Sequence, residues 1–589
     1  MTSRAHLALL TVVAFACGNG ALLAPAGAAP KKLLDYHAYS AWRQIRDVRL
    51  SRDGRRLAYA QVPAEADGEL LVRDLAGTAV FRAPRGRAPQ FSPDGRFVVY
   101  RISAPVADVK AAEKAAKPVA ERPKDGLGVA DLADVANAKT TAVDRVRSFA
   151  LARDGTTVAY LLEPSPSPSP APSALPAASA SPAASPAHSS SPAPAVSASA
   201  APKGPGKDAP TSLGIRRLGD ADATRVTNVS AYAVSADGSR VAYVVQTKAD
   251  ESIHVRDVAT GKDQLVAHGV AHLVSPALSP DGASLAYLSD PDAYDESVKK
   301  EAGARSPFRL MVADTRGGAA VEALGPATPG LAPHTYASDA RTPEFSADGS
   351  RLALWTANVP LPRPSSAPAR VDLDFWYWRD GELPTQQRRA AQKPQHGTYL
   401  ALYDLGARRV TQLGTRDVPN VALAGNARYA LGWSDVPYVK LATYDDSYFD
   451  VYRIDVATGA RTVLARKAKT DAPSLSPTGR YAVGYDPLRR AWYTLRLADG
   501  RKAWISDPRT VRAAVEDDDH PAAPPPYGFG GWMTDDLALL IYDRYDVWTA
   551  SPDGGSPVSL TRGAGRAAQR IYRALRPRTD EPDSAFVAA

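Results

Sequence analysis

The chain has 589 residues, of which 71 are Lys or Arg and 63 are Asp or Glu, so its formal net charge is +8. These charges are interspersed without a long basic run, which argues against a nucleic-acid-binding protein. With 44% apolar residues and 50 prolines, the composition predicts a globular protein that carries a compositionally biased insert.

The first segment, residues 1–28, has the features of a secretory signal peptide. Arg4 precedes an apolar stretch at 7–16, and Ala26, Gly27 and Ala28 supply the small residues of a cleavage site. The apolar stretch is shorter than the roughly 20 residues that a transmembrane helix needs. We therefore predict an exported protein, periplasmic or extracellular, that is cleaved after Ala28 and has no transmembrane segment.

The only cysteine, Cys17, lies within this signal. A chain cleaved after Ala28 would hold no thiol and form no disulfide, so packing alone would stabilise it. In a second interpretation the signal belongs to a bacterial lipoprotein, and an acyl chain on Cys17 anchors the protein to a membrane surface. Ala14 stands where such a signal normally has Leu.

A strand-turn-strand unit recurs along residues 34–575, where we predict a single β-propeller domain. An Asp side chain bonds its own backbone and the next Gly tolerates positive φ, so each Asp-Gly pair predicts a tight hairpin between alternating apolar strands. The pairs are Asp53-Gly54, Asp94-Gly95, Asp154-Gly155, Asp237-Gly238, Asp281-Gly282 and Asp348-Gly349. Another copy keeps Gly479 but has Thr478 in place of Asp, and two degenerate copies lie near Asn426 and Asp535.

A second pair of strands follows most hairpins, and four strands are the size of one propeller blade. Asp53 and Asp94 are 41 residues apart and Asp237 and Asp281 are 44 apart, within the spacing of about 40 to 50 residues that blade repeats show. The sequence therefore predicts an all-β protein, a β-propeller of four-stranded blades. Nine units exceed the usual range of about four to eight blades. We favour eight, with seven to nine possible, because two degenerate units could share a blade or a terminal unit could help to close the ring.

Two segments do not fit the repeat. Residues 164–210 are almost entirely Pro, Ala and Ser, cannot bury a core, and predict a disordered insert within one blade. A stretch at 107–126, rich in Ala and Lys, predicts a second polar excursion with helical character. Residues 576–589 form a polar tail.

No catalytic site is predicted. A serine hydrolase of the α/β type exposes its nucleophile on a G-x-S-x-G turn between a strand and a helix. The nearest strings, Gly432-Trp433-Ser434-Asp435-Val436 and Gly554-Gly555-Ser556-Pro557-Val558, lack the closing Gly and lie in strand or hairpin context.

No metal site or cofactor is predicted either. Residues Glu516, Asp517, Asp518, Asp519 and His520 form one acidic cluster, but calcium loops normally place their ligands on alternate residues. His268 and His272 are four apart in a strand-rich stretch, where that spacing does not bring two side chains to one metal. The glycine patterns that bind phosphate cofactors are absent from the sequence.

Three stretches go beyond the general hairpin pattern, which alone occurs in many periplasmic propellers, including TolB-like ones. They are 34–60 followed by 68–75, then 373–405 with Trp376, Asp380 and Gln386-Gln387 in order, and 515–566. Together they resemble the propeller of large secreted bacterial members of the prolyl oligopeptidase family of serine peptidases. The resemblance extends over about residues 34–580, interrupted by the insert, and is most specific in 515–566.

This resemblance implies the propeller portion, which covers the active site and filters substrates, of an exported serine peptidase. In the family an α/β-hydrolase domain with the catalytic Ser, Asp and His follows; the sequence here ends at Ala589. We therefore expect a truncated or split gene product, inactive alone, whose partners are a peptide substrate or a separately encoded hydrolase domain. The alternative is a free-standing, TolB-like periplasmic propeller that binds a protein or peptide through exposed aromatic residues, namely 376–378 and 527–532.

Overall fold

The computed structural model describes residues 42–164, 211–247, 250–293, 307–326, 328–358, 376–392, 397–469 and 473–574. The predicted signal peptide with Cys17, all but the first residue of the insert 164–210, and the predicted tail 576–589 lie outside them. The described residues form 37 strands in nine antiparallel sheets, which we number 1 to 9 in chain order.

Each sheet takes its strands consecutively from the chain. Sheet 1 contains β1 (Arg43–Leu50), β2 (Arg56–Pro63), β3 (Glu69–Asp74) and β4 (Val80–Pro84), and sheet 2 contains β5 (Gly86–Phe91), β6 (Phe97–Ile102), β7 (Gly126–Asp131) and β8 (Lys139–Val143). Sheet 3 contains β9 (Val146–Leu151), β10 (Thr157–Leu162), β11 (Ser212–Arg217) and β12 (Thr224–Thr227). Sheet 4 contains β13 (Val229–Val234), β14 (Arg240–Gln246), β15 (Glu251–Asp257) and β16 (Asp263–Gly269), and sheet 5 contains β17 (His272–Leu278), β18 (Ser284–Asp290), β19 (Arg309–Asp314) and β20 (Val321–Leu324).

Sheet 6 differs in that two short strands, β21 (Thr335–Ala337) and β22 (Glu344–Phe345), both pair with β23 (Arg351–Asn358), which is followed by β24 (Thr398–Asp404) and β25 (Arg409–Gln412). Sheet 7 contains β26 (Asn420–Ala422), β27 (Tyr429–Ser434), β28 (Phe449–Asp455) and β29 (Arg461–Ala468). Sheet 8 contains β30 (Ser474–Leu475), β31 (Tyr481–Asp486), β32 (Ala491–Arg496) and β33 (Lys502–Trp504), and sheet 9 contains β34 (Phe529–Trp532), β35 (Leu539–Tyr542), β36 (Val547–Ala550) and β37 (Val558–Ser559). The α-helices are α1 (Val106–Lys114), α2 (Pro384–Gln392) and α3 (Ala564–Ala568).

The sheets stack face to face in chain order. Each sheet can pack against both of its neighbours, because successive side chains of a strand point to opposite faces. In β10, Val158 and Tyr160 pack against sheet 2, whereas Ala159 and Leu161 pack against sheet 4. Equivalent hydrophobic clusters join every consecutive pair from sheet 1 to sheet 9. Consecutive four-stranded meanders packed in this way define a β-propeller, so the predicted all-β class is confirmed.

The described residues form nine sheets, one more than the favoured eight blades and within the predicted range of seven to nine. The two degenerate units each begin a sheet of their own, β26 to β29 and β34 to β37. Their turns have backbone hydrogen bonds, from Ala427 N to Ala424 O at 2.8 Å and from Met533 N to Ala538 O at 2.8 Å, without an Asp-Gly pair. Both degenerate units therefore form a hairpin although they lack the Asp-Gly pair. Within the described ranges no strand is shared between units.

The predicted hairpin chemistry is present where Ser precedes Asp by two residues. In sheet 5, Ser279 Oγ donates to Asp281 Oδ1 at 2.6 Å, the same oxygen accepts from Ala283 N at 3.1 Å, and Gly282 has φ of 69°. Ser279 Oγ also accepts from Ser284 N at 2.9 Å, which closes the first pair of strands. The same bond joins Ser51 to Asp53, Ser92 to Asp94, Ser235 to Asp237, and Ser346 to Asp348.

A four-stranded meander has two unlike ends. The turns from first to second strand and from third to fourth strand lie at one end, which we call the hairpin face. The connections from second to third strand and from one sheet to the next lie at the other, the loop face. The six long connections between described strands, at 103–125, 163–211, 291–308, 359–397, 435–448 and 505–528, all join strand ends at the loop face.

Two helices belong to these connections: α1 lies in the predicted excursion 107–126 and α2 in 359–397. Over the described part of the chain, no helix combines the length and the apolar character required to cross a bilayer.

Candidate functional site

Turns of the hairpin face form hydrogen bonds and ion pairs with one another. Asp154 N donates to Ala236 O at 2.7 Å and Asp237 N donates to Pro280 O at 3.1 Å, which ties the turns of sheets 3, 4 and 5 together. Arg52 of sheet 1 adds an ion pair with Asp154 at 2.8 Å. Polar groups of these turns therefore bond to neighbouring turns of the fold. The loop face is the better candidate for a functional site.

On the loop face, the second-to-third strand turn of sheet 9 has two buried carboxylates. Asp543 is 4% exposed and accepts hydrogen bonds from Tyr545 N at 2.8 Å, Asp546 N at 2.7 Å and Trp548 Nε1 at 3.1 Å. These bonds fix the turn 543–546, because a buried carboxylate is stable only when its oxygens are satisfied.

Asp546, which is 1% exposed, connects this turn to the segment that follows the last strand. It accepts from Thr561 Oγ1 at 2.6 Å, Gly565 N at 2.9 Å and Arg566 N at 3.0 Å, and so binds the N-terminal turn of α3. Burial alone would raise the pKa of Asp546, but these hydrogen bonds and the charge of Arg566 lower it below the ordinary 3.8. The carboxylate is therefore ionised at neutral pH.

The acidic cluster 516–520 is bonded to the same part of the loop face. Glu516 Oε1 lies 3.0 Å from Arg566 Nη2, and Asp517 Oδ2 lies 3.1 Å from Arg544 Nη2. Glu516 N donates to Tyr527 Oη at 2.9 Å. We call the loop 515–520, the turn 543–546 and the segment 561–574 together the exit unit. Its residues 515–520, 543–546 and 561–566 belong to the stretch 515–566, whose resemblance to the peptidase family is most specific.

Three ligand atoms of Asp518, Asp519 and His520 lie within 4.8 Å of one another. The side chains of Asp519 and His520 are 98% and 78% exposed. Asp518 contacts His520 Nδ1 at 2.5 Å, and this hydrogen bond holds the pKa of Asp518 below its ordinary value. Exposed acidic groups of this kind are common, and we assign no metal to them.

A second feature of the loop face is an exposed aromatic group formed by two neighbouring connections, which we call the aromatic lobe (376–392 and 436–444). Trp376 and Trp378 are 67% and 72% exposed. Lys440 Nζ lies 5.3 Å from the centre of the Trp378 ring and donates to Trp378 O, and the Arg379 guanidinium lies 4.9 Å from the same ring. These cation–π contacts hold the lobe together while leaving the indoles accessible.

Gln386 and Gln387, which contribute to the family resemblance of 373–405, bond to residues close to them in the chain. Gln386 Oε1 accepts from Leu383 N at 2.9 Å, and Gln387 Nε2 donates to Glu382 O at 2.8 Å and to Asp380 Oδ2 at 3.4 Å, so they order the start of α2. The other predicted aromatic stretch, 527–532, is not exposed, because Trp532 is 5% exposed in the core between sheets 8 and 9.

The two histidines predicted not to share a metal contact different carboxylates. His268 Nε2 lies 3.1 Å from Asp250 and His272 Nδ1 lies 2.9 Å from Glu251. Glu251 is fully buried and also accepts from Leu273 N at 2.7 Å, which joins sheet 4 to sheet 5. Burial alone would lower the pKa of His272, but Glu251, Asp290 and Asp339 raise it above 6.5.

Both strings closest to a nucleophile elbow lie in sheet structure. Ser434 is completely buried at the end of β27, and a Cβ on Gly432 would lie 2.8 Å from Ile454 Cδ1. Ser556 lies in the turn between β36 and β37.

Sequence reasoning missed the buried carboxylates Asp543 and Asp546. The D-x-x-D spacing directly after an apolar strand is the only signal that pointed to them.

The fold and these contacts define a β-propeller with a closed hairpin face and a loop face bearing the exit unit and the aromatic lobe. No protein-family model and no curated protein matches the sequence. Similar solved structures include the β-propeller domain of the Trilobed protease from Pyrococcus furiosus, at 11% identity and TM-score 0.30, covering 72% of this chain and 99% of that one. Another is the acylaminoacyl peptidase of Pyrococcus horikoshii, at 10% identity and TM-score 0.31. That similarity covers 78% of this chain and 58% of the peptidase. A eukaryotic initiation factor is also similar, at 12% identity and TM-score 0.38, covering 77% of this chain and 85% of that one. At these values the likenesses carry no argument about activity.

Proposed function

We propose that this chain is the propeller part of an exported serine peptidase of the prolyl oligopeptidase type, and that it selects the peptides that reach a hydrolase domain. The observation that carries the proposal is the exit unit. The stretch most specifically similar to that family, 515–566, is bonded to the segment that follows the last strand. Arg570 N donates to Gly565 O at 2.9 Å and Tyr572 N donates to Tyr545 O at 2.7 Å, so 561–574 stays at the loop face.

Exposed aromatic side chains on the loop face support the proposal that this face selects peptides. Its long connections carry exposed indoles with neighbouring cations, and amphipathic aromatic side chains are favoured at contacts with other chains. A hydrolase domain bound to this face would have the entrance to its active site beside the aromatic lobe. The nucleophile and its partners would come from that domain, and the propeller would contribute selection by size and shape.

One experiment tests whether a hydrolase belongs with this chain. The tagged chain is purified from its own cells and treated with a fluorophosphonate probe, which labels the active serine of hydrolases. We expect the probe to label an α/β-hydrolase domain that is recovered together with the tagged propeller. Recovery of the propeller with no labelled serine hydrolase would refute the proposal.

A second experiment tests selection by the loop face. Replacing both Trp376 and Trp378 with Ala should change the ratio of kcat/KM for long and short peptides in the purified assembly, with little effect on its melting temperature. Leu75→Ala is the matched control, because Leu75 is 52% exposed and lies at the hairpin face. Equal ratios for wild type, control and double variant would exclude the aromatic lobe from selection.

Export is tested separately. N-terminal sequencing of the mature protein should give Ala29 as its first residue. An acylated Cys17 at the N-terminus would establish the lipoprotein instead.

A further inference from the structure

The hairpin of sheet 8 lacks the carboxylate that the other Ser-containing hairpins have, yet it has their geometry. Thr478 replaces the Asp, but Gly479 N still donates to Ser476 O at 2.9 Å and Gly479 has φ of 72°. Tyr481 N donates to Ser476 Oγ at 3.0 Å, as the equivalent amide does in sheet 5. Something must therefore occupy the position of the missing carboxylate.

Asp536 of sheet 9 occupies it. Ser476 Oγ donates to Asp536 Oδ2 at 2.6 Å, the same length as the bond from Ser279 to Asp281 within sheet 5. Thr478 donates twice more, from Oγ1 to Oδ2 and from N to Oδ1 at 3.3 Å. The carboxylate of one sheet thus completes the hairpin of its neighbour.

The position of Asp536 is maintained by these contacts. Its side chain is 0% exposed, and Arg480 Nε lies 3.7 Å from Oδ2. Both Asp535 and Asp536 have φ of 54°, a left-handed conformation that residues other than Gly adopt at a cost. Arg480 also donates to Asp535 O. Because sheet 8 contributes all of these partners, the turn 533–538 depends on sheet 8 as much as the hairpin 476–481 depends on Asp536.

The same seam is closed by packing. The rings of Tyr481 and Trp532 stack with their centres 6.1 Å apart, and Tyr481 Oη donates to Asp553 at 3.2 Å. Asp553 lies in the turn between β36 and β37, so two turns of sheet 9 contact sheet 8 at the hairpin face.

We infer that Asp536 is a latch between sheets 8 and 9: its side chain supplies the carboxylate that the neighbouring hairpin lacks, so these two sheets open as one unit. If sheet 9 moves away, the buried donors Ser476 and Thr478 lose their acceptor and the hairpin of sheet 8 loosens. If the hairpin of sheet 8 loosens, the left-handed turn of sheet 9 loses its support. Motion at sheet 9 is thereby transmitted to sheet 8.

Hydrogen exchange measured by mass spectrometry tests the latch. Asp536→Asn should raise exchange by about tenfold to a hundredfold, the effect of losing hydrogen bonds to a charged group, in both 474–486 and 529–542. The matched control is Asp281→Asn, whose carboxylate bonds Ser279 and Ala283 of its own hairpin. The backbone bond from Asp237 N to Pro280 O stays in place in this variant, so the effect should be centred on sheet 5 and much smaller in sheet 4. Unchanged exchange in 474–486 of Asp536→Asn, or equal spreading in the control, would overturn the inference.

Two further variants keep the test decisive if Asp536→Asn does not fold. Adding Thr478→Asp to it returns a carboxylate to the hairpin of sheet 8, so protection should return in 474–486 and not in 529–542. Ser476→Ala is milder and should raise exchange across the seam in 533–538, whereas Ser279→Ala should leave sheets 4 and 6 unchanged. Recovery of both sheets in the double variant, or no effect of Ser476→Ala beyond sheet 8, would show that no latch exists.

Discussion

Replacing Asp546 with Ala should release the segment 561–574 from the loop face. The carboxylate is 1% exposed and satisfies three donors, from Thr561, Gly565 and Arg566. A hydrogen bond to a charged group contributes about 1.5 to 3 kcal/mol, and removing one partner of a buried charged contact costs about 3 to 5 kcal/mol. Taking about 3 kcal/mol, the equilibrium for local opening should rise roughly a hundredfold, since 1.4 kcal/mol is a factor of ten.

Trypsin reports this opening directly, because the segment contains Arg566 and Arg570. When opening is fast relative to cleavage, the cleavage rate follows the population of the open form. The rate after Arg570 should therefore rise about a hundredfold in Asp546→Ala. Thr561→Val removes only one donor and should give about a tenfold increase.

The control is Asp553→Ala, since Asp553 lies in the same sheet at the hairpin face and its side chain is 52% exposed. A cleavage rate in Asp546→Ala within about threefold of wild type would refute the reasoning. So would an equal increase in the control, which would mean that sheet 9 as a whole had loosened.

Two further predictions concern the core. The raised pKa of His272 means that its pair with Glu251 stabilises the protein fully below about pH 6.5 and loses this contribution as pH rises through the folded-state pKa. Urea midpoints at pH 5.5 and 8.5 should therefore differ more in wild type than in His272→Gln. An equal difference in the two proteins would contradict the direction of the pKa shift. Gly214→Ala should lower the free energy of unfolding by about 1 to 3 kcal/mol, because a Cβ there would lie 2.3 Å from the Tyr160 ring. Gly269→Ala, which meets no atom within 4 Å, should be nearly neutral in the same denaturation experiment.

The sequence predicted the repeat well because its hairpins are local. Asp281 and Gly282 are adjacent, and the bonds they make span only a few residues, so composition and spacing suffice. The blade count is predicted from the sequence only as a range of seven to nine, because turns such as 424–427 close through backbone bonds that leave no signature in the side chains.

The contacts of the exit unit and the latch could not be predicted from the sequence, because they join residues far apart in the chain. Asp536 contacts Ser476, 60 positions away, and Asp546 contacts Gly565, 19 positions away. Neither carboxylate differs in its local pattern from an exposed turn Asp. Only the folded arrangement shows which of them is buried and which donors it satisfies.

The division into a hairpin face and a loop face also determines how the chain can change its length. Extra residues at a hairpin turn would break bonds such as the one from Asp154 N to Ala236 O, whereas extra residues at the loop face interrupt no ladder. Each lengthened connection therefore adds surface to the same side of the molecule. Segments far apart in sequence, such as α1 and the exit unit, are brought to one common surface regardless of how many residues separate them.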